Sequence, residues 1–97
     1  MPMVLLDVEG APAVLVGAVS RRLLEIRPGV FVGSLSVRAM DQLWAEVLKA
    51  QPRSALLVRS ERNELGVGFK QVGQHRYELC DQHGILLVSF ASKRNGS

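Results

Sequence analysis

Asp7 and Glu9 stand two residues apart at the end of an apolar run, Met3-Val4-Leu5-Leu6. In an extended segment residues i and i+2 point to the same side, so the two carboxylates are expected side by side. With waters completing the shell, such a pair suits Mg²⁺, which rarely takes a full cage of protein ligands. A divalent ion held there could serve phosphodiester hydrolysis. The plainer reading is a polar strand end whose anions sit favourably near a following helix N-terminus. Two acids alone do not specify a nuclease.

The second chemistry-bearing set is basic. Arg occurs at 21, 22, 27, 38, 53, 59, 62, 76 and 94, Lys only at 49, 70 and 93, and the formal net charge is +3. The guanidinium fork grips phosphate oxygens bidentately, so the bias fits a nucleic-acid partner. It equally fits a GC-rich genome and solvated surface charge. His75, Cys80 and His83 do not make a zinc site, which needs four ligands at tight spacing. The single cysteine excludes an internal disulfide. No glycine-rich phosphate loop, catalytic triad or aromatic base-stacking motif is present.

The elements that position these residues follow from apolar periodicity. Met3 to Leu6 reads as a buried strand. Pro12 sits near a helix start, and Leu15, Val19, Leu23 and Ile26, widened by Val16, form one stripe. That stripe predicts a first helix running up to Pro28-Gly29, with Arg21, Arg22 and Glu25 off its apolar side. Leu24 to Arg27 could instead be a short arm pairing with the strand Val30-Phe31-Val32. Ser36 is a good N-cap for a second helix carrying Met40, Leu43, Trp44, Val47 and Leu48 at helical spacing. Pro52 prevents its continuation. Ala55 to Val58 reads as a central strand, Arg59 to Leu65 as a polar loop, and Val67 to Val72 as a strand with one solvated face. Gly73 to Gly84 reads as irregular and polar, and Ile85 to Phe90 as the last strand.

Ninety-seven residues make one domain, expected over 1–91 with a flexible tail over 92–97. A chain this short buries only roughly two-thirds of its unfolded surface, so dimerisation would help it. Neither a membrane span nor a signal peptide is expected, and the expected location is cytoplasmic. The pattern predicts an α+β fold: a ferredoxin-like two-layer sandwich, two helices on one face of a mainly antiparallel sheet, with an extra C-terminal strand.

The block Leu23-Leu24-Glu25-Ile26-Arg27-Pro28-Gly29-Val30-Phe31-Val32-Gly33, followed by Ser36 opening a helix with Trp44, resembles the type I-E branch of the CRISPR-associated Cas-two family. So do Phe69, Gln71 and Gly73, then Arg76, then Gly84 and Leu87-Val88-Ser89-Phe90. The likeness runs from Met3 to about Phe90. It departs early in the first helix, where relatives carry basic residues and this chain has Val14 and Val16.

The resemblance implies a homodimer flanked on both sides by the CRISPR integrase. The assembly holds a short duplex of prespacer DNA, measures it and inserts it into the repeat array as a new spacer. In this branch the small protein is chiefly the central bridge and DNA platform. Members elsewhere in the family are reported as metal-dependent endonucleases acting on RNA or double-stranded DNA. On that alternative Glu9, where type I-E relatives also carry Glu, and Asp7 would be the catalytic and Mg²⁺-binding acids. Arg27, Arg38 and Arg76 match basic positions and would contact the phosphate backbone, with Arg21 and Arg22 as further candidates. The last strand, through Ile85, Leu86, Leu87, Val88 and Phe90, would dock across the dimer or against the integrase.

Overall fold

The computed structural model describes residues 1–73 in full, together with the backbone of two strands at residues 77–82 and 85–90. The elements run β1 (Met3–Glu9), α1 (Ala13–Ser20), β2 (Leu24–Arg27), β3 (Val30–Ser34), α2 (Val37–Ala50), β4 (Ser54–Ser60), β5 (Val67–Gly73), β6 (Tyr77–Gln82) and β7 (Ile85–Phe90). β1 lies at the centre of a five-stranded sheet of order β2-β3-β1-β4-β5, and every neighbouring pair is antiparallel. The first four strands and two helices thus have the ferredoxin-like order, and β5 extends the sheet beyond β4. The expected α+β architecture is the one the chain adopts. β6 and β7 pair with each other in a separate antiparallel ribbon, from Tyr77 opposite Phe90 to Gln82 opposite Ile85.

Strand alternation divides the sheet into two faces. Val4, Leu6 and Val8 of β1, Phe31 of β3, and Ala55 and Leu57 of β4 are buried. They form one core with Leu15 and Val19 of α1 and Met40, Leu43, Trp44 and Val47 of α2. Both helices therefore cover the same face. The intervening residues Leu5, Val32, Leu56 and Val58 point the other way and are half-buried.

α2 follows its sequence pattern closely. Ser36 Oγ accepts from the Ala39 N–H at 3.1 Å, a side-chain cap on the first turn. Met40, Leu43, Trp44 and Val47 are buried, while Leu48, expected on the same stripe, remains 47% exposed. Gln51 ends the helix in a left-handed conformation, φ +51°, before Pro52.

α1 is shorter than its stripe. It ends at Ser20, and Leu24–Arg27 form β2, paired with β3 through Leu24–Val32, Glu25–Phe31 and Arg27–Val30. Of the two readings of this segment, the pairing arm is the correct one. Without β2, the backbone of β3 would present an unpaired edge; the hairpin at Pro28-Gly29 supplies its partner. Leu23 stays in the core although it has left the helix. Gly29 makes the turn possible. Its φ is +81°, and a Cβ there would stand 2.5 Å from the Val8 carbonyl oxygen. Its own carbonyl accepts from the Val8 N–H at 2.8 Å, and its N–H donates to Glu25 Oε2 at 3.1 Å.

Two loop expectations change. β4 continues through Arg59 and Ser60, so the polar loop begins at Glu61. The stretch expected to be irregular between Gly73 and Gly84 contains β6. Its Tyr77-Glu78-Leu79-Cys80-Asp81-Gln82 sequence alternates too loosely to stand out. Among the described residues no helix is long and apolar enough to cross a membrane. The expected tail over 92–97 lies outside the described residues.

Candidate functional site

β1 delivers Asp7 and Glu9 to one side of the sheet, because the residues between and before them, Val8 and Leu6, are turned into the core. The two acids therefore share the face opposite the helices. Asp7 is half-buried and Glu9 exposed. Register decides what Glu9 meets. In the antiparallel β1–β4 pair, the last residue of β1 stands opposite the first of β4, so Glu9 faces Ser54. Ser54 Oγ donates to Glu9 Oε1 at 3.3 Å, and Arg53 Nη2 donates to the same oxygen at 3.1 Å.

The backbone around Arg53 is tightly confined. Pro52 precedes it and is buried. Gly73, at the end of β5, pairs with Ser54. A Cβ on Gly73 would collide with the Arg53 carbonyl oxygen and with the Ser54 Cα. The close approach requires glycine, and it fixes where the Arg53 side chain begins. The ion pair itself is well exposed, with side chains 65% and 57% accessible, so its own contribution to stability is small, about 0–1 kcal/mol.

This arrangement does not fit a resident Mg²⁺ at the Asp7–Glu9 pair. One of the two carboxylates already carries a guanidinium, and a magnesium shell demands oxygen ligands at about 2.0–2.1 Å in octahedral order. Among the described residues no group of three or more His, Cys, Asp or Glu side chains is placed to hold a metal ion.

The arginines are divided between the two ends of the sheet. Arg27 closes β2 beside the Pro28-Gly29 turn, at the end that carries Glu9 and Arg53, and is exposed. Arg38 is exposed in the first turn of α2, beyond the opposite end of β3. Arg21 follows α1 at that same end and is exposed; Arg22 is engaged, donating to Glu46 Oε2 at 3.0 Å. The four residue steps from Val30 to Ser34 put about 13 Å of strand between the two groups. Arg76 lies outside the described residues, as do His75, His83 and the Cys80 side chain. β7 is a strand as expected, while the side chains of Ile85, Leu86, Leu87, Val88 and Phe90 lie outside the described set.

Arg53 was the site residue that sequence reasoning passed over. The signal was available in the expected fold: an antiparallel β1–β4 neighbour relation places the end of the first strand against the start of the fourth.

Comparison with known protein families covers most of the chain. Residues 3–87 match the family model described as CRISPR-associated protein (Cas_Cas2CT1978). The chain belongs to that family. The match takes in the whole five-stranded sheet, both helices, β6 and the first half of β7. In this CRISPR-associated protein, then, the sheet end formed by Glu9, Arg53, Ser54 and Gly73 belongs to the family's own domain and not to an appended segment.

Proposed function

We propose that this CRISPR-associated protein serves spacer acquisition, as a type I-E homodimer that bridges integrase dimers and binds duplex prespacer DNA through its phosphate backbone. Family membership over residues 3–87 carries the reading. Three physical features support it. The sheet face away from the helices is lined with half-buried apolar side chains, Leu5, Val32, Leu56, Val58 and Phe69. A face of this kind suits packing against a second copy. Arg27 and Arg38 are both exposed but stand at opposite ends of the sheet, as suits a rod that crosses the subunit. A duplex presents one negative charge per about 1.7 Å of its axis, so both can find a phosphate without reading sequence. The pairing of Glu9 with Arg53 at 3.1 Å favours the bridging role over the metal-dependent endonuclease, because a nuclease would need that acid free.

The test mixes the purified protein with its cognate integrase and a forked duplex of spacer length. A ternary complex is expected at modest salt, weakening steeply as salt rises. Arg27→Ala and Arg38→Ala should each flatten that salt dependence by about one released counterion. No ternary complex under any salt condition would overturn the reading.

A further inference from the structure

We propose that Arg53 holds, as a built-in cation, the place at Glu9 that a divalent metal ion would take. The acidic strand end is then closed to Mg²⁺ and Mn²⁺ while the Arg53–Glu9 pair stands. The inference is read by metal binding and the bridging role by assembly with integrase and DNA, so the failure of one is distinguishable from the failure of the other.

Three observations carry it. The guanidinium Nη2 lies 3.1 Å from Glu9 Oε1, and the Ser54 hydroxyl lies 3.3 Å from the same oxygen. That oxygen thus has two donors in place, which an ion bound there would have to displace. Backbone geometry brings Arg53 and Glu9 together. Strand register sets Ser54 opposite Glu9, and the bare backbone of Gly73 presses on Arg53 and Ser54 from the other side. Finally, Asp7 stands two residues back on the same face, so an ion drawn to Asp7 would meet a fixed positive charge at its neighbour. A divalent ion and a guanidinium about 5 Å apart in water repel enough to cost roughly tenfold in affinity.

The role of Arg53 is to exclude, so removing it should open a site. The experiment titrates the full-length protein with Mn²⁺ at low ionic strength and follows the free-ion signal by electron paramagnetic resonance. Wild type, Arg53→Gln, Arg53→Lys, Glu9→Gln and the double variant R53Q/E9Q are compared, with circular dichroism verifying the fold of each. Arg53→Gln is expected to bind Mn²⁺ at least about tenfold more tightly than wild type, and the double variant should fall back to the wild-type level. Arg53→Lys keeps a cation and should lie between them. Glu9→Gln with Arg53 in place removes one negative charge beside Asp7 and should weaken Mn²⁺ binding by no more than the roughly tenfold that this charge accounts for, an arm that stands even where Arg53→Gln does not fold.

Equal affinity in wild type and Arg53→Gln would overturn the proposal. So would tight binding that survives in the double variant, since the ion would then sit elsewhere. A loss of Mn²⁺ affinity well beyond roughly tenfold in Glu9→Gln alone would also overturn it, by showing that Glu9 ligates metal with Arg53 present.

Discussion

The two faces of the sheet are built by the same strands and end differently. On the helix side, Leu6, Phe31, Leu57 and Leu43 have essentially no exposed surface, and the layer is complete. On the other side, Leu5, Val32, Leu56, Val58 and Phe69 are only half-buried, while Met3 at the rim is 62% exposed. An antiparallel sheet with one face in water normally alternates apolar with polar residues. Here the open face is also largely apolar, with Asp7 and Gln71 flanking Leu56 as its polar residues within the strands. The contrast separates two tasks: one face stabilises the protomer, and the other is suited to a second protein surface.

Substitution should separate these tasks. Leu43→Ala, at the centre of the finished face, should cost about 2–5 kcal/mol of protomer stability by leaving a cavity. Chemical denaturation would measure it as a lower midpoint at unchanged slope. A loss under 1 kcal/mol would mean that the helix-side layer can collapse around the gap and is less complete than its burial indicates.

Val58→Lys probes the opposite face. A half-exposed lysine on the protomer finds water, so the far-ultraviolet spectrum should stay close to wild type, and the thermal midpoint should fall only by the share the dimer contributes. In the proposed homodimer the same charge would be buried without a partner, which costs several kcal/mol. The dimer dissociation constant should therefore rise by about 100-fold or more, read by analytical ultracentrifugation. A dimer that persists unchanged would place the contact between copies elsewhere on the molecule.

The same division explains what the sequence made legible. α2 could be read almost residue by residue, because a side-chain cap at Ser36 and a single buried stripe are local features. β1 and β4 were legible as continuous apolar runs, and that continuity already marked strands apolar on both faces. The end of α1 was not. Leu15, Val19, Leu23 and Ile26 keep helical spacing beyond Ser20, but backbone pairing of β2 with β3 overrides it. The octet Ala13–Ser20 carries no charged residue, so nothing local marks where the helix must stop. Arg53 was invisible for the same reason at longer range. Its partner is 44 positions away in the chain, and only strand order brings them together.

Ser54 is where the two faces meet, and it yields the smallest and sharpest prediction. It belongs by register to the open face, opposite Glu9, yet it is only 3% exposed and is the one buried polar side chain among the described residues. A buried hydroxyl is tolerated when it is hydrogen-bonded, and the Ser54 hydroxyl donates to Glu9 Oε1. Ser54→Ala keeps the backbone pairing and removes that bond, so it should cost about 0.5–1.5 kcal/mol, or a few degrees in thermal midpoint. The decisive measurement is a double-mutant cycle with Glu9→Gln. Residues in direct contact couple by roughly 0.5 kcal/mol or more, so Ser54→Ala should cost measurably less once Glu9 has lost its charge. Equal costs in both backgrounds would show that the hydroxyl is held by its surroundings and not by the acid. Arg53 would then be the sole donor that matters to Glu9, and the strand end would be closed by a single ion pair instead of two converging hydrogen bonds.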